Sequence, residues 1–268
     1  MRRQQEVVGA FEVAGIPCAL ECGDGGLAGL LAPAYSDFST AAPPRLALRV
    51  ELVPPPPEDV ARAWSPPFAR IRGGDGTLEI EGAGFRGAFD ERSGRGWIVQ
   101  PPDAAPLETF LTAIYAGALL REGGFLLHAA ALLSTDGARV FFGPSESGKT
   151  TVAELVGEGV ITDEITAIRY QGGRFHVSSV PWRGSRLSGE LGALFRLRKA
   201  SAASFARLQP VEVVRQLLTC VFFSRADGAE IAHFLEIAGE LGTAVPCYDM
   251  HFVPDRSFWN AIPSRGGI

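Results

Sequence analysis

The chain has 268 residues, enough for one large domain or two modest ones. Hydrophobic residues make up 46% of the sequence and charged residues 21%, a balance that excludes a globally disordered chain. The net charge of −5 argues against nucleic acid as a partner, because binding to a phosphate backbone requires a basic face.

The sequence also bears on the cellular compartment. No apolar stretch reaches the roughly 20 residues that a transmembrane helix needs. The N-terminal stretch lacks the apolar run and the cleavage site of a signal peptide. The four cysteines are scattered, and no second pair or nearby histidine completes a metal site around Cys18 and Cys22. We therefore expect a cytoplasmic protein with free, buried thiols and no membrane partner.

The first part of the chain is predicted to be a small mixed α+β domain rich in strands, spanning residues 1–105. A helix is expected at Leu27–Tyr35. Apolar and polar residues alternate in four segments, which predicts strands there: Leu46–Val53, Leu78–Glu81, Phe85–Phe89 and Trp97–Val99. The prolines around residue 101 mark the boundary with a second domain at residues 106–268.

The second part alternates helical and strand patterns, as α/β domains do. Helical spacing predicts helices at Leu107–Arg121, Pro210–Phe223 and Ala229–Leu241. Strands are predicted at Phe125–Leu133, Val140–Phe142, Arg174–Val180, Leu191–Leu197 and Tyr248–Val253. Phe258 and Trp259 near the C-terminus are expected to pack in a core.

A phosphate-binding motif follows the predicted strand Val140–Phe142. Gly143-x-x-x-x-Gly148-Lys149-Thr150 is the P-loop pattern, and a predicted helix starts directly after it. Backbone N–H groups and the helix N-terminus suit such a loop to nucleotide phosphates, with ATP and Mg²⁺ as the expected cofactors. Lys149 would reach the β- and γ-phosphates, and the Thr150 hydroxyl would bind Mg²⁺. The expected binding residues are Gly143, Pro144, Ser145, Glu146, Ser147, Gly148, Lys149, Thr150 and Thr151.

Three other features carry chemistry. Asp163 and Glu164 interrupt an apolar run, which is typical of carboxylates at the end of a strand near a P-loop. The alternative is an acidic turn between two strands that has no role in binding. The loop Pro181–Arg186 contains two arginines, which can bind phosphate bidentately. His128 is the one polar residue of the strand Phe125–Leu133. It is a candidate active-site residue, and the alternative is a core histidine that is hydrogen-bonded to the backbone.

These segments, in this order, resemble the catalytic domain of the HPr kinase/phosphorylase family and its short kinase-like relatives. The resemblance rests on Phe125-Leu-Leu-His128-Ala-Ala, the P-loop, Ile161-Thr-Asp163-Glu164 and Val180-Pro-Trp-Arg-Gly184. Some of the short relatives phosphorylate a serine of a lasso-peptide precursor. The family implies an α/β P-loop domain built like phosphoenolpyruvate carboxykinase. The resemblance covers roughly Leu107–Trp259 and does not extend into the strand-rich domain before it. It also implies phosphate transfer to a serine of a peptide or small protein, and homo-oligomers.

The resemblance also implies roles for individual residues. Asp163 would be the general base that accepts the serine proton, and His128 matches the family's histidine on the strand before the P-loop. Glu164 would help to bind Mg²⁺ where the family has a second aspartate. From charge alone, Arg183 or Arg186 would offset the charge of the transferring phosphoryl group.

Two other functions share these residues. A regulatory or assembly module could bind ATP without turning it over, although such a module needs no base beside the γ-phosphate. A small-molecule kinase would keep the same site and use a different acceptor. A closed pocket beside the P-loop would favour a small acceptor, whereas a site open to solvent would favour a peptide.

Overall fold

The computed structural model describes residues 6–22, 29, 31, 34–55, 69–82 and 84–263. The chain divides into two compact units, Met1–Ala118 and Leu119–Ile268, and each is a mixed α/β structure built on its own sheet. The predicted α/β class is thus present in this coarse form. Within the described ranges, no helix is long and apolar enough to cross a membrane.

The described part of the first unit contains one seven-stranded sheet. Its strands are β1 (Glu6–Val13), β2 (Ile16–Cys22), β3 (Leu46–Leu52), β4 (Arg70–Gly74), β5 (Thr77–Gly82), β6 (Phe85–Asp90) and β7 (Arg95–Gln100). The strand order is β1-β2-β3-β7-β6-β5-β4, with β3 parallel to both of its neighbours. All four strands predicted in this unit are confirmed. Most of the helix predicted at Leu27–Tyr35 lies outside the described residues.

Helix α1 (Ala104–Leu120) follows the first sheet and confirms the helix predicted at Leu107–Arg121. The hydroxyl of Tyr115 donates to the carbonyl of Ile16 at 3.0 Å, and both residues belong to the first unit. The two units divide after Ala118, inside this helix, whereas the sequence placed the boundary between residues 105 and 106. The difference arises because α1 packs on the first sheet.

The described part of the second unit contains nine strands and four helices. The strands are β8 (Gly124–Ser134), β9 (Gly137–Phe142), β10 (Val160–Thr162), β11 (Ile165–Gln171), β12 (Arg174–Ser178), β13 (Ser188–Lys199), β14 (Ser204–Arg207), β15 (Val221–Phe222) and β16 (Cys247–Phe252). The helices are α2 (Lys149–Val156), α3 (Pro210–Leu217), α4 (Gly228–Ala244) and α5 (Ser257–Ala261). The five strands predicted in this unit and the helix predicted at Ala229–Leu241 are confirmed.

The directions of the strands place several loops at one edge of the second sheet. Strands β9, β13 and β16 are parallel to one another. Strand β8 is antiparallel both to β9 on one side and to β10 on the other, so β10 runs in the same direction as β9. The carboxyl ends of β9, β10, β13 and β16 therefore lie at the same edge, where ligands of α/β sheets usually bind.

Two apolar clusters cover the two faces of this sheet. Alternate residues of β8 point to opposite faces. Phe125, Leu127 and Ala129 join the cluster that contains residues of α3 and α4. Ala130 and Leu132 join the cluster that contains residues of α2 and α5, including Phe258 and, at its margin, Trp259. The predicted core packing of Phe258 and Trp259 is confirmed, and all four cysteines are free and buried.

The prediction of one helix at Pro210–Phe223 is wrong in its second half. Helix α3 ends at Leu217, and the chain then forms the short strand β15, whose Val221 pairs with Leu127 of β8. The carbonyl of Cys220 accepts a hydrogen bond from the backbone N–H of His128 at 2.8 Å. Backbone N–H and C=O groups in the amino half of β8 need hydrogen-bond partners on the side where β15 lies. The run Val221–Phe223 favours a strand because of its β-branched and aromatic side chains.

A row of stacked rings anchors the strand that leads into the P-loop. The ring of Phe141 stacks on that of Phe195 at a centroid distance of 5.1 Å, and the ring of Phe195 stacks on that of Tyr248 at 5.5 Å. These residues lie on β9, β13 and β16, so the row joins the three parallel strands. Aromatic pairs of this kind stabilise beyond the area they bury.

We predict that Phe141→Ala lowers the free energy of unfolding of the second unit by about 3–5 kcal/mol, because it removes a fully buried ring from this row. Urea denaturation followed by tryptophan fluorescence measures the change. Leu235→Ala is the control, since Leu235 is 42% exposed and its loss is expected to cost less than about 1 kcal/mol. Equal effects of the two substitutions would contradict the role of the row.

Candidate functional site

The P-loop connects the end of β9 to the start of α2, as its motif predicts. Gly148 has a φ of +108°, which only glycine adopts without strain, and a Cβ at this position would lie 2.9 Å from the ring of Phe252. Glu146 also has a positive φ, of +62°. The loop is therefore held in a strained, curled conformation directly before the helix N-terminus.

The side chain of Lys149 folds back onto its own loop. Its ammonium donates to the carbonyls of Gly143 and Pro144, each at 3.0 Å, and the residue is buried. Burial lowers the pKa of this ammonium from its ordinary value. The cation is thus fixed inside the loop, where its hydrogen-bond partners among the described residues are these two neutral carbonyl groups.

The hydroxyl of Ser147 is a second polar group inside this curl. The residue is 6% exposed, and its Oγ has no hydrogen-bond partner among the described residues. A buried hydroxyl without a partner is unfavourable by about 1–3 kcal/mol, so it usually marks a ligand or an ordered water. The loop therefore offers a buried donor and a buried cation to an anion at the N-terminus of α2.

His128 lies between the P-loop and the acidic pair, Asp163 and Glu164, because of the register of β8. On one side, Ala129 pairs with Phe142, the last residue before Gly143. On the other side, His128 pairs with Ile165, and the N–H of Ala129 donates to the carbonyl of Glu164 at 3.0 Å. The adjacent residues His128 and Ala129 of β8 therefore lie next to both the P-loop and the turn at Asp163 and Glu164.

The ring of His128 has a defined hydrogen bond and a perturbed charge. Its Nδ1 is 3.1 Å from the carbonyl oxygen of Glu164, which can only accept, so Nδ1 carries the proton in this contact. Burial lowers the pKa of His128, and the positive charge of Lys149 lowers it further. The imidazole is therefore neutral near pH 7 and keeps Nε2 as an acceptor.

The acidic pair forms the turn between β10 and β11. Asp163 is half-buried, and Glu164 is exposed on the same turn. The Glu164 carboxylate lies 2.8 Å from Nε of Arg183, so it forms an ion pair with the predicted cationic loop. The structure thus brings together four of the predicted residues, namely His128, Asp163, Glu164 and Arg183, at the edge that also carries Lys149.

The remaining predicted residues lie at the surface of this edge or near it. Gly143 is buried and Thr151 is half-buried. The residues Pro144, Ser145, Glu146 and Thr150 are exposed. Arg186 is also exposed, and Arg183 forms an ion pair with Glu164.

Thr162 was not among the predicted site residues. It is 1% exposed and links the acidic turn to the loop Pro181–Arg186. Its hydroxyl donates to the carbonyl of Arg183 at 2.7 Å and lies 3.2 Å from the backbone nitrogen of Glu164. The only local signal is a hydroxyl residue directly before two acidic residues. Its partner at Arg183 is 21 residues away, and no sequence pattern indicates that contact.

No protein-family model matches this chain, and no curated protein matches it at a significant level. In the part of the chain that the structure describes, no group of three or more His, Cys, Asp or Glu side chains is arranged to hold a metal ion. The chemistry of the site is therefore argued from its own side chains.

We predict that Lys149→Met raises the pKa of His128, because it removes the positive charge that disfavours the imidazolium. Burial, the larger of the two causes that lower this pKa, remains in the variant. Titration of the imidazole resonance by NMR measures the change, with His128→Gln to assign the resonance. An unchanged pKa would show that Lys149 and His128 are not electrostatically coupled.

Proposed function

We propose that this protein is a kinase of the HPr kinase-like type that uses ATP and Mg²⁺ to phosphorylate a serine of a peptide or small protein. One observation carries the proposal: the pairing of β8 with β9 on one side and with β10 and β11 on the other. This pairing brings a P-loop, a neutral histidine and a pair of carboxylates to one edge of a sheet. Phosphoryl transfer requires this combination of phosphate binding, metal binding and a proton acceptor.

The phosphate end of the site fits a nucleotide triphosphate. Among the described residues, the hydroxyl of Ser147 has no hydrogen-bond partner. The N–H groups in the first turn of a helix such as α2 have no acceptor within the helix, so they can also donate to phosphate. Lys149 would leave its two carbonyl partners for the β- and γ-phosphates, because a charged acceptor forms the stronger hydrogen bond. The loop thereby offsets the phosphate charge.

The residues present also fit Mg²⁺. This ion is usually held by one or two protein oxygens together with substrate phosphates, rather than by a full set of protein ligands. Thr150 presents an exposed hydroxyl beside Lys149, and Glu164 presents a carboxylate at the same edge. When bound, Mg²⁺ would neutralise charge on the β- and γ-phosphates.

Asp163 is the group best placed to accept the proton of the attacking serine. Its carboxylate forms no hydrogen bond or ion pair with the described residues, whereas that of Glu164 pairs with Arg183. In the reaction the serine oxygen bonds to the γ-phosphorus, the bond to the β,γ-bridging oxygen breaks, and ADP leaves. The serine proton passes to Asp163, and Arg183 offsets charge on the transferring group.

The exposure of the acidic pair supports a large acceptor. The side chain of Glu164 is 49% exposed and that of Arg183 is 37% exposed, so the acceptor side of the edge is open to solvent. A small-molecule kinase usually encloses its acceptor in order to exclude water. An open edge suits a segment of a peptide or of a protein surface.

We predict that Asp163→Asn binds ATP like the wild type but loses at least about 99% of phosphoryl transfer, because a general base typically contributes 10²–10⁴-fold. Lys149→Ala should lose both ATP binding and transfer. Intact-mass spectrometry of peptides and proteins encoded beside this gene, after incubation with ATP and Mg²⁺, measures the transfer. Calorimetry measures ATP binding.

The control for these variants is Glu158→Gln, which neutralises an exposed carboxylate on the turn after α2 and should act like the wild type. Transfer by Asp163→Asn at the wild-type rate would exclude Asp163 as the base. ATP binding by the wild type without a phosphorylated product on any neighbour would favour the regulatory module or the small-molecule kinase.

A second prediction concerns Ser147. We expect Ser147→Ala to leave the melting temperature unchanged or slightly raised, because the hydroxyl makes no hydrogen bond that folding would lose. The same change should weaken ATP binding about 10- to 150-fold, since a hydrogen bond to a charged phosphate contributes about 1.5–3 kcal/mol. Thermal melts with and without ATP measure both effects. A large loss of stability without ATP would show that the hydroxyl has a structural partner.

A further inference from the structure

We infer that Thr162 is a positioning residue. It fixes the position of Glu164, whose carboxylate would bind Mg²⁺, relative to Arg183. The inference rests on the proposed function and extends it to a residue outside the P-loop. Thr162 is the last residue of β10, directly before Asp163 and Glu164. Its side chain, in addition to its backbone bridge with Gly184, connects the acidic turn to the loop Pro181–Arg186, called the arginine loop below.

The hydroxyl of Thr162 uses both its donor and its acceptor capacity. It donates to the carbonyl of Arg183 at 2.7 Å, which fixes the backbone of the arginine loop. It accepts from the backbone N–H groups of Glu164 at 3.2 Å and Ile165 at 3.3 Å, which fixes the acidic turn. One oxygen atom therefore holds the backbone of both members of the Arg183–Glu164 ion pair.

The arginine loop also approaches β10 closely at the next residue. Gly184 forms an isolated bridge with Thr162, and a Cβ on Gly184 would lie 2.3 Å from the carbonyl oxygen of Ile161. No other residue fits there without moving the loop. The contact between the two loops is therefore tight, and Thr162 is its hydrogen-bonding element.

A neighbouring threonine offers a matched comparison. Thr166 on β11 is also fully buried, and its hydroxyl donates to the carbonyl of Ala129 at 2.9 Å. This bond joins two paired strands and involves neither Glu164 nor Arg183. Replacing either threonine with valine removes one buried hydroxyl and keeps the volume, but only Thr162→Val removes a hydrogen bond between the acidic turn and the arginine loop.

The test compares ATP binding with Mg²⁺ and with EDTA, by calorimetry on the full chain. In Thr162→Val we expect the affinity without metal to remain within about twofold of wild type, because the P-loop is untouched. The gain in affinity that Mg²⁺ provides should fall about tenfold or more, the usual effect of losing a group that orients a metal ligand. Thr162→Ser keeps the hydroxyl and should restore the gain, and Thr166→Val should retain it.

Three outcomes overturn the inference. An unchanged gain in Thr162→Val would show that the hydroxyl does not orient the site, while the proposed function would stand. Equal losses with Mg²⁺ and with EDTA, or a loss in Thr166→Val as large as in Thr162→Val, would show a purely structural role. A wild-type protein that binds no ATP would overturn the proposed function and this inference together.

Gly184→Ala tests the same connection from the other loop, in case Thr162→Val does not fold. The added methyl group would push the arginine loop away from Ile161, so we expect the same selective loss of the Mg²⁺-dependent gain. Gly228→Ala is the control, because a Cβ there meets nothing within 4 Å. A Gly184→Ala variant that folds and keeps the full gain would contradict the inference.

Discussion

The pairing of β8 with strands on both sides is the constraint on which the site depends. This long strand is antiparallel to β9 along its second half, while β11 and then β10 line its opposite edge. Two loops that are separated in sequence, the P-loop after β9 and the acidic turn after β10, therefore end beside the same short stretch of β8. A shift of one residue in this register would turn His128 to the opposite face of the sheet and separate it from Lys149.

The charges at this edge are satisfied by protein groups that are weaker partners than phosphate or metal. Lys149 donates to two neutral carbonyls, and Glu164 pairs with a partly exposed Arg183, an arrangement that contributes little to stability. The buried hydroxyl of Ser147 has no partner among the described residues. A site built for stability alone would satisfy these groups more fully. Their arrangement is better explained by a ligand that carries both negative charge and a cation.

Many parts of the fold that follow from local patterns were predicted from the sequence, although the local hairpin β1–β2 was not. The parts that depend on distant contacts were not predicted. The strand before the P-loop and the turn at Asp163 and Glu164 need only neighbouring residues to be recognised. The end of α3 at Leu217 depends instead on β8, about 90 residues earlier, which takes the following segment as a strand. The role of Thr162 was not predicted for the same reason, since its hydrogen-bond partner, the carbonyl of Arg183, is 21 residues away on the arginine loop. Electrostatic coupling of His128 to Lys149 likewise requires the register of the sheet.

The most direct test of this account is a crystal structure of the protein with Mg²⁺ and a non-hydrolysable ATP analogue. The account predicts the phosphates on the loop Gly143–Thr150, with Nζ of Lys149 moved from the two carbonyls to the β- and γ-phosphates. It also predicts Mg²⁺ between Thr150 and Glu164, with Asp163 facing the γ-phosphate. A nucleotide bound elsewhere, or Lys149 still on its carbonyls beside a bound nucleotide, would contradict it.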